Sequence, residues 1–233
     1  MSSVDSLAAV VLFDIDGTLL TGGPDKPSAG VRAMNEAALV LTGIDSLYRL
    51  VEFAGRTDRQ IARDLLAAAG QPDPELAQVT ALVQRYTELL EQGVRQRPYV
   101  PLPGVRQTIG ALRMRQVLVG LGTGNVRRGA VAKLRSAGYL ELFDVALGGY
   151  GDDAETRAEV LRTGARRCDD SGELRVIIVG DTPHDIRAAH DIDALCVGVP
   201  TGSYDEAALR GAGADAVVPM LDPGLVDVIR RLL

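Results

Sequence analysis

Short, fully apolar runs recur along the chain and are followed by glycine or polar residues. The first is AAVVLF, residues 8–13, which contains β-branched valines and is followed directly by Asp14. A run of this length and composition is typical of a strand that is buried on both faces of a parallel sheet. The same pattern predicts further strands at residues 117–121, 145–149, 175–180 and 195–199, with a weaker one at residues 216–220.

Helical patterns separate these predicted strands. They predict helices at about residues 127–137, 154–168, 183–191, 205–211 and 223–232. Strands that alternate with helices form right-handed βαβ units, in which the helices cover both faces of the sheet. The chain is therefore predicted to have an α/β fold with a doubly wound, mainly parallel sheet.

The segment from about residue 21 to residue 100 interrupts this alternation, because no convincing strand pattern occurs in it. Three stripes of apolar residues at helical spacing take its place. They comprise Val31, Met34, Ala38 and Leu41, then Ile61, Leu65 and Ala69, and finally Leu76, Val79, Val83, Tyr86 and Leu90. Thr57 or Asp58 is placed to cap the second helix, and Gly70 and Gly93 are expected to end the second and third helices.

Two stretches rich in glycine and proline, residues 21–30 and 95–104, bracket this helical segment. We therefore expect an all-helical cap domain at residues 21–100, inserted after the first strand. Residues 1–20 and 101–233 would then form the α/β core. The alternative is one continuous α/β domain that carries extra helices on its face.

The amino-acid composition argues against several classes of protein. With 46% hydrophobic residues the chain can bury a core, and its net charge of −6 argues against a nucleic-acid partner. Its two cysteines make neither a disulfide scaffold nor a zinc site. No stretch approaches the roughly 20 apolar residues that a membrane span needs. We expect a soluble cytoplasmic protein without a membrane association, either a monomer or a homodimer.

The strongest chemical signal is DIDGT, Asp14 to Thr18, directly after the first strand. Open α/β sheets bind their ligands at the carboxyl ends of the strands. Two carboxylates placed there, two residues apart, are costly unless a cation or a proton neutralises them. Gly17 suggests that the chain turns here, so that Asp14 and Asp16 can both approach one site. The alternative is an acidic turn that merely follows a strand.

Two further motifs follow other predicted strands. GTGN, Gly122 to Asn125, precedes a predicted helix, and the N-terminus of a helix can bind a phosphate group. Glycine-rich turns of this kind are also common where no ligand binds. GDTPHD, Gly180 to Asp185, places Asp181 at a strand end and Asp185 about one helical turn later. Asp181 could also be a simple helix cap.

Together the three motifs are more informative than each one alone. Each lies at the carboxyl end of a different predicted parallel strand, so they are expected to meet at one edge of the sheet. The edge would then carry three carboxylates, a hydroxyl and a helix N-terminus. These groups suit an octahedral Mg²⁺ site beside a phosphate-binding site.

In these three motifs the sequence resembles the haloacid dehalogenase-like (HAD) superfamily. DIDGT, Thr123 of GTGN, and GDTPHD resemble its motifs I, II and IV, and the resemblance covers essentially the whole chain, including a helical cap after motif I. Among its members, the sequence most resembles the phosphoglycolate-phosphatase-like proteins that carry this cap. The resemblance implies an HAD-like Rossmannoid core and an Mg²⁺-dependent phosphatase that acts on a small phosphorylated metabolite.

The resemblance also implies roles for individual residues. Asp14 would be the nucleophile that forms an aspartyl-phosphate, and Asp16 the general acid and base. Asp14, the main-chain carbonyl of Asp16, and Asp181 would hold Mg²⁺, with Asp185 as a further ligand or an orienting group. Thr123 would bind a phosphoryl oxygen, helped by backbone N–H groups of the same loop, at Gly124 and Asn125.

One departure from the family pattern leaves a question open. Motif III of the superfamily usually offers a lysine, often as Lys-Pro, but the stretch GGYGDDAETRAEV contains none. Arg157 stands near the expected place. Lys133, one of only two lysines in the chain, is the other candidate, because its helix follows GTGN and helical side chains lean toward the N-terminus. Each could instead be a surface charge.

The expected cap offers FAGRTD, residues 53–58, between two of its helices. A loop there could close over the site, which makes Arg56 a candidate for binding an acidic part of the substrate. Three functions remain open at this point: a phosphatase, a phosphosugar mutase of the same superfamily, and a regulatory protein that binds phosphate or metal without turnover. A phosphonate hydrolase that needs a lysine in the cap is improbable, because residues 27–132 contain no lysine.

Overall fold

The computed structural model describes residues 6–24 and 26–233. Its elements follow one another along the chain, with two short 3-10 turns at Leu47–Leu50 and Leu140–Leu142. They are β1 (Ala9–Phe13), β2 (Leu20–Thr21), α1 (Ala29–Thr42), α2 (Asp58–Ala68), α3 (Leu76–Gln96), β3 (Val100–Pro101), α4 (Val105–Met114), β4 (Leu118–Gly122), α5 (Arg127–Ser136), β5 (Gly148–Gly149), α6 (Arg157–Cys168), β6 (Arg175–Gly180), α7 (Pro183–His190), β7 (Leu195–Gly198), α8 (Glu206–Gly211), β8 (Ala216–Val217) and α9 (Leu225–Leu232).

The main sheet has six strands in the order β5-β4-β1-β6-β7-β8, and every adjacent pair is parallel. Chain order therefore runs outward from β1 in both directions, which is the doubly wound arrangement that the strand and helix pattern predicts. β1 lies between β4 and β6, so the three motif-bearing strand ends are immediate neighbours. The prediction of an α/β fold with a mainly parallel sheet is confirmed.

Alternate residues of β1 enter two separate hydrophobic clusters, one on each face of the sheet. Val11 and Phe13 belong to the cluster that also includes residues of α4, α5 and α9. Val10 and Leu12 belong to the cluster formed with α6, α7 and α8. Because both faces are covered, all five residues of β1 are fully buried, which explains its uniformly apolar sequence.

Helices α1 to α3, which we call the helical unit, follow β1 and β2 in sequence. α1 packs mainly against α3, and the apolar stripes predicted for the three helices are largely buried in this packing. α3 continues past Gly93 to Gln96, so the expected stop at that glycine is wrong: the stripe carries on through buried Val94. The domain boundaries at residues 20/21 and 100/101 stay a prediction.

Two short features differ from the sequence prediction. β2 and β3 form an antiparallel pair where the chain enters and leaves the helical unit, with Leu20 opposite Pro101 and Thr21 opposite Val100. A two-residue ladder has no periodicity that a sequence could reveal. α4 lies in a stretch for which no helix is predicted above, although its buried residues Val105, Thr108, Ile109 and Leu112 follow helical spacing.

In the described ranges, no helix combines the length and the apolar character required to cross a bilayer.

Candidate active site

The carboxyl ends of three neighbouring strands bring the sequence motifs together. Asp14 follows β1 in the centre, Thr123 follows β4 on one side, and Asp181 follows β6 on the other. The backbone N–H of Asp14 donates to the Val179 carbonyl at 2.9 Å, which continues the β1–β6 ladder up to the first carboxylate. The expected convergence of DIDGT, GTGN and GDTPHD at one sheet edge is therefore seen directly.

Three buried carboxylates form the centre of this edge. Asp14, Asp181 and Asp185 each contribute one carboxylate oxygen, and these three oxygens lie within 4.8 Å of one another. Burial raises the pKa of Asp14 to about 6, although Arg157 acts to lower it. Burial, and then the charges of Asp14 and Asp185, raise the pKa of Asp181 well above its ordinary value. Crowded, desolvated carboxylate oxygens are the ligand set that a hard divalent cation prefers.

Gly17 lets the DIDGT turn approach these carboxylates closely. Its φ is +81°, a left-handed conformation, and a Cβ at this position would clash with the carboxylate of Asp181. The hydroxyl of Thr18 then donates to Oδ1 of Asp181 at 3.4 Å. The turn that the sequence suggests at Gly17 thus lets Asp14 and Asp16 both face the site.

Arg157 is the cation inside the acidic cluster. Its Nη2 lies 2.8 Å from Oδ1 of Asp14 and 2.5 Å from Oδ1 of Asp185, and its side chain is only 8% exposed. Burial disfavours its charge, but the carboxylates of Asp185 and Asp14 outweigh that effect and raise its pKa. A Cβ on Gly124 would lie 3.0 Å from its Nη1, so the guanidinium also borders the GTGN loop.

Lys133 occupies a different place, beside Asp16. Its Nζ lies 2.6 Å from Oδ2 of Asp16 and 2.5 Å from Oδ1 of Asn125. Burial opposes its charge, yet Asp16 and the surrounding acids hold the pKa of Lys133 above its ordinary value. Arg157 and Lys133 are both buried, so neither is the surface charge considered in the sequence analysis. Arg157 pairs with Asp14 and Asp185, whereas Lys133 pairs with Asp16.

Asn125 links this second group to Thr123. Its Nδ2 donates to Oδ2 of Asp16 and to Oγ1 of Thr123, each at 2.8 Å. Oγ1 of Thr123 also accepts from the backbone N–H of Asn125 at 3.3 Å, so the Thr123 hydroxyl keeps its own proton for another acceptor. Asn125 thereby positions Asp16 and Thr123. The phosphate contacts expected of Thr123, Gly124 and Asn125 stay predictions.

Asp58 is one of two candidates for the cap of α2, and the structure gives that position to the other candidate, Thr57. Thr57 caps α2 and accepts from the Gln60 N–H, which leaves the Asp58 side chain free. Oδ2 of Asp58 accepts from the N–H of Val126 at 2.8 Å, and its own N–H donates to the Gly124 carbonyl at 2.8 Å. The start of α2 is thus docked on the GTGN loop. The sequence carries no signal for this contact, because the partners are 68 positions apart.

The buried Asp58 carboxyl has a consequence for stability. Burial raises the pKa of Asp58 to about 7, although Lys133 acts to lower it. The folded pKa lies above the ordinary value of 3.8, so the folded state holds an extra proton between about pH 4 and pH 7. Stability therefore falls as the pH rises through this window.

We expect Asp58→Asn to reduce this fall, because the amide keeps an acceptor for Val126 and carries no charge. The loss of unfolding free energy between pH 4 and pH 8, measured by urea denaturation, should shrink by up to about 4 kcal/mol. Asp73→Asn, which removes an exposed carboxylate from the loop between α2 and α3, is the control. An unchanged pH dependence in the Asp58 variant would contradict the expectation.

A cavity of about 310 Å³ lies above the carboxylates, between the sheet edge and the helical unit. Asp14, Asp16 and Arg157 line it from below, and Arg56 lines it from the loop before α2. Nη2 of Arg56 lies 2.6 Å from Oδ2 of Asp64, so the arginine predicted to bind an acidic substrate already has an acidic partner.

Comparison with known proteins identifies relatives of this chain in sequence and in fold. The chain matches the family model of haloacid dehalogenase-like hydrolases over residues 8–193. It is 29% identical to a probable phosphatase, IndB, of Dickeya dadantii, with 90% of this chain and 88% of that protein covered. It is 26% identical to a phosphoglycolate phosphatase of Nitrosospira multiformis, with 91% of each covered. The structure of a hydrolase from Pseudomonas syringae superposes with a TM-score of 0.70 at 22% identity, covering 96% of this chain and 97% of that one.

Proposed function

The chain belongs to the haloacid dehalogenase-like hydrolase family and is a phosphoric monoester hydrolase, and we propose that it is an Mg²⁺-dependent phosphatase. Its substrate would be a small phosphomonoester, hydrolysed through an aspartyl-phosphate on Asp14. The observation that carries this proposal is the cluster of Asp14, Asp181 and Asp185, directly bordered by a buried arginine. Phosphoryl transfer depends mainly on positioning and charge neutralisation, and this cluster provides for both.

In the first half of the reaction, a carboxylate oxygen of Asp14 attacks the phosphorus and the bond to the alcohol oxygen breaks. The leaving alkoxide needs a proton, which Asp16 supplies. Both contacts from Lys133 and Asn125 go to Oδ2 of Asp16, and within the described residues Oδ1 accepts no hydrogen bond. Oδ1 is therefore the atom of Asp16 that is available to the leaving group.

In the second half, a water attacks the phosphorus of the aspartyl-phosphate. Asp16, now a carboxylate, takes a proton from this water, and the bond between phosphorus and the Asp14 oxygen breaks. Inorganic phosphate is released and Asp14 is restored. Asp16 is 42% exposed, unlike the buried Asp14, which suits a group that exchanges protons with an incoming water.

The acidic cluster fits a magnesium ion. Asp14, Asp181 and the main-chain carbonyl of Asp16 would hold it, with Asp185 as a further ligand or an orienting group, and oxygen ligands of this type are those that Mg²⁺ prefers. When bound, the ion supplies positive charge that offsets the charge developing on the phosphoryl oxygens. Arg157 would remain the protein's own cation beside Asp14.

The geometry favours Arg157 over Lys133 for the role of the missing motif III lysine. Arg157 contacts the proposed nucleophile and borders the GTGN loop, whereas Lys133 contacts the proposed acid and base. Thr123, which retains a hydroxyl proton, would donate to a phosphoryl oxygen. The helical unit would serve as the cap that excludes water from the reaction.

The test is hydrolysis of an aryl phosphate by the purified protein with and without magnesium. We expect release of aryl alcohol and inorganic phosphate in equal amounts, loss of turnover in EDTA, and recovery when Mg²⁺ is restored. A mutase would instead return an isomeric phosphoester from a sugar phosphate. Turnover that is unaffected by EDTA, or no turnover with any phosphomonoester, would contradict the proposal.

A further inference from the structure

The cavity above the carboxylates has one apolar side, formed by the helical unit. Val31 and Met34 on α1, Phe53 in the loop before α2, and Ile61 on α2 all line it. Met34 is 1% exposed and Ile61 4% exposed, so their contact with the cavity is made from an otherwise packed core. An apolar wall of this kind favours ligands whose own apolar groups it can shield from water.

Three of the four cations that line the same cavity form ion pairs with carboxylates, although Nε of Arg56 and Nε of Arg157 are buried without a hydrogen-bond partner among the described residues. Arg157 contacts Asp14 and Asp185. Lys133 contacts Asp16 at 2.6 Å, and Arg56 contacts Asp64 at 2.6 Å. The fourth cation of the lining, Lys26, is exposed to solvent. A carboxylate on the leaving group would therefore enter an acidic, partly apolar space in which each buried cation already has a carboxylate partner, which is costly.

Tyr86 adds one neutral polar group to the apolar side. It lies on α3, is 2% exposed and lines the cavity. In the described part of the chain its hydroxyl makes no hydrogen bond, and burial raises the pKa of this phenol, so the hydroxyl stays protonated. Because Tyr86 lines the cavity, its hydroxyl is placed to donate a hydrogen bond to a ligand that offers a neutral acceptor.

We propose that the preferred substrate is the phosphomonoester of an alcohol with an apolar body, carrying a neutral oxygen within reach of Tyr86. Phosphorylated short carboxylic acids such as phosphoglycolate are then poor substrates. This inference rests on the proposed phosphatase function and specifies its substrate class. Met34, Ile61 and Val31 determine the specificity, while the carboxylate cluster performs the chemistry.

The experiment compares kcat/KM, at fixed Mg²⁺, for phosphoglycolate and for the n-alkyl phosphates from propyl to hexyl. The leaving alcohols of this series are similar in basicity, so differences report binding in the cavity and not intrinsic reactivity. We expect kcat/KM to rise about fourfold for each methylene that is buried. Hexyl phosphate should exceed phosphoglycolate by at least about tenfold.

Two variants connect this preference to the apolar side of the cavity. Met34→Thr and the isosteric Val31→Thr should each weaken the dependence of kcat/KM on the length of the alkyl chain. Because Val31→Thr preserves side-chain shape, it supplies the test if Met34→Thr does not fold. Met114→Thr is the matched control, because Met114 is 72% exposed at the end of α4. The control should show the parent chain-length dependence.

A third variant tests the pairing of the cations. Asp64→Asn releases Arg56 from its ion pair, so the ratio of kcat/KM for phosphoglycolate to that for hexyl phosphate should rise, by roughly tenfold. A parent enzyme that prefers phosphoglycolate, or that shows no dependence on chain length, overturns this inference and leaves the phosphatase proposal standing. Absence of phosphate release from every ester, the aryl phosphate included, overturns both.

Discussion

Asp14→Asn is expected to lower kcat for every phosphomonoester by about 10⁴-fold or more. The amide nitrogen and oxygen occupy the same space as the carboxylate, but the neutral amide is a very poor nucleophile toward phosphorus. The substitution also removes one of the three carboxylate charges that would hold the proposed Mg²⁺. Both losses act on the transition state, so KM should change far less than kcat. Steady-state hydrolysis of an aryl phosphate with saturating Mg²⁺ measures the effect.

The variant should remain folded, since Arg157 keeps its contact with Asp185. Circular dichroism and thermal unfolding check this. Asp227→Asn, the same substitution at an exposed position of α9, is the matched control and should keep the parent kcat. Rapid quenching with substrate labelled in the phosphoryl group should trap a phosphorylated protein in the parent and not in Asp14→Asn. Parent-like turnover in Asp14→Asn would exclude this residue as the nucleophile.

Arg157→Met is expected to reduce both activity and stability. It leaves the buried carboxylates of Asp14 and Asp185 without their shared cation, and breaking a buried ion pair in this way costs about 3–5 kcal/mol of unfolding free energy. Loss of a cation beside the transferred phosphoryl group lowers kcat by about 10³-fold. Urea denaturation and aryl phosphate hydrolysis measure the two effects separately.

Three other variants identify the cause. Arg157→Lys keeps the charge and should recover part of both losses, because both observed ion-pair contacts come from the single atom Nη2. Arg166→Met, on the exposed side of the same helix, should change neither stability nor kcat. Lys133→Met supplies the comparison between the two cations. Full activity in Arg157→Met together with loss in Lys133→Met would assign the role to Lys133 instead.

The meeting of the motifs could be predicted from the sequence because it follows from topology. Apolar runs identify parallel strands, and the carboxyl ends of adjacent parallel strands share an edge, so Asp14, Thr123 and Asp181 had to come close together. The confirmed fold class rests on the same reasoning. Predictions of this type need only the order and direction of the strands.

Which carboxylates each of the two cations contacts could not be predicted in this way. Arg157 and Lys133 both lie on helices near the sheet edge, and a shift of one helical turn would exchange the carboxylates within their reach. The packing of α5 and α6 against the sheet determines which carboxylates each cation reaches. Residue spacing in the sequence does not predict this packing. The same limit applies to Asp58, whose sequence context predicts a helix cap equally well. α4 was missed for a different reason, since its apolar positions are few and lie among arginine and glutamine.

The contact between Asp58 and the GTGN loop bears on how this architecture can be recombined. Its two hydrogen bonds join the start of α2 to Gly124 and Val126, far along the chain. A chimera that exchanges residues 21–100 alone would separate the aspartate from the two backbone groups that it contacts. The exchangeable module is therefore discontinuous, and a graft designed to alter substrate preference should carry residues 123–129 together with the helices.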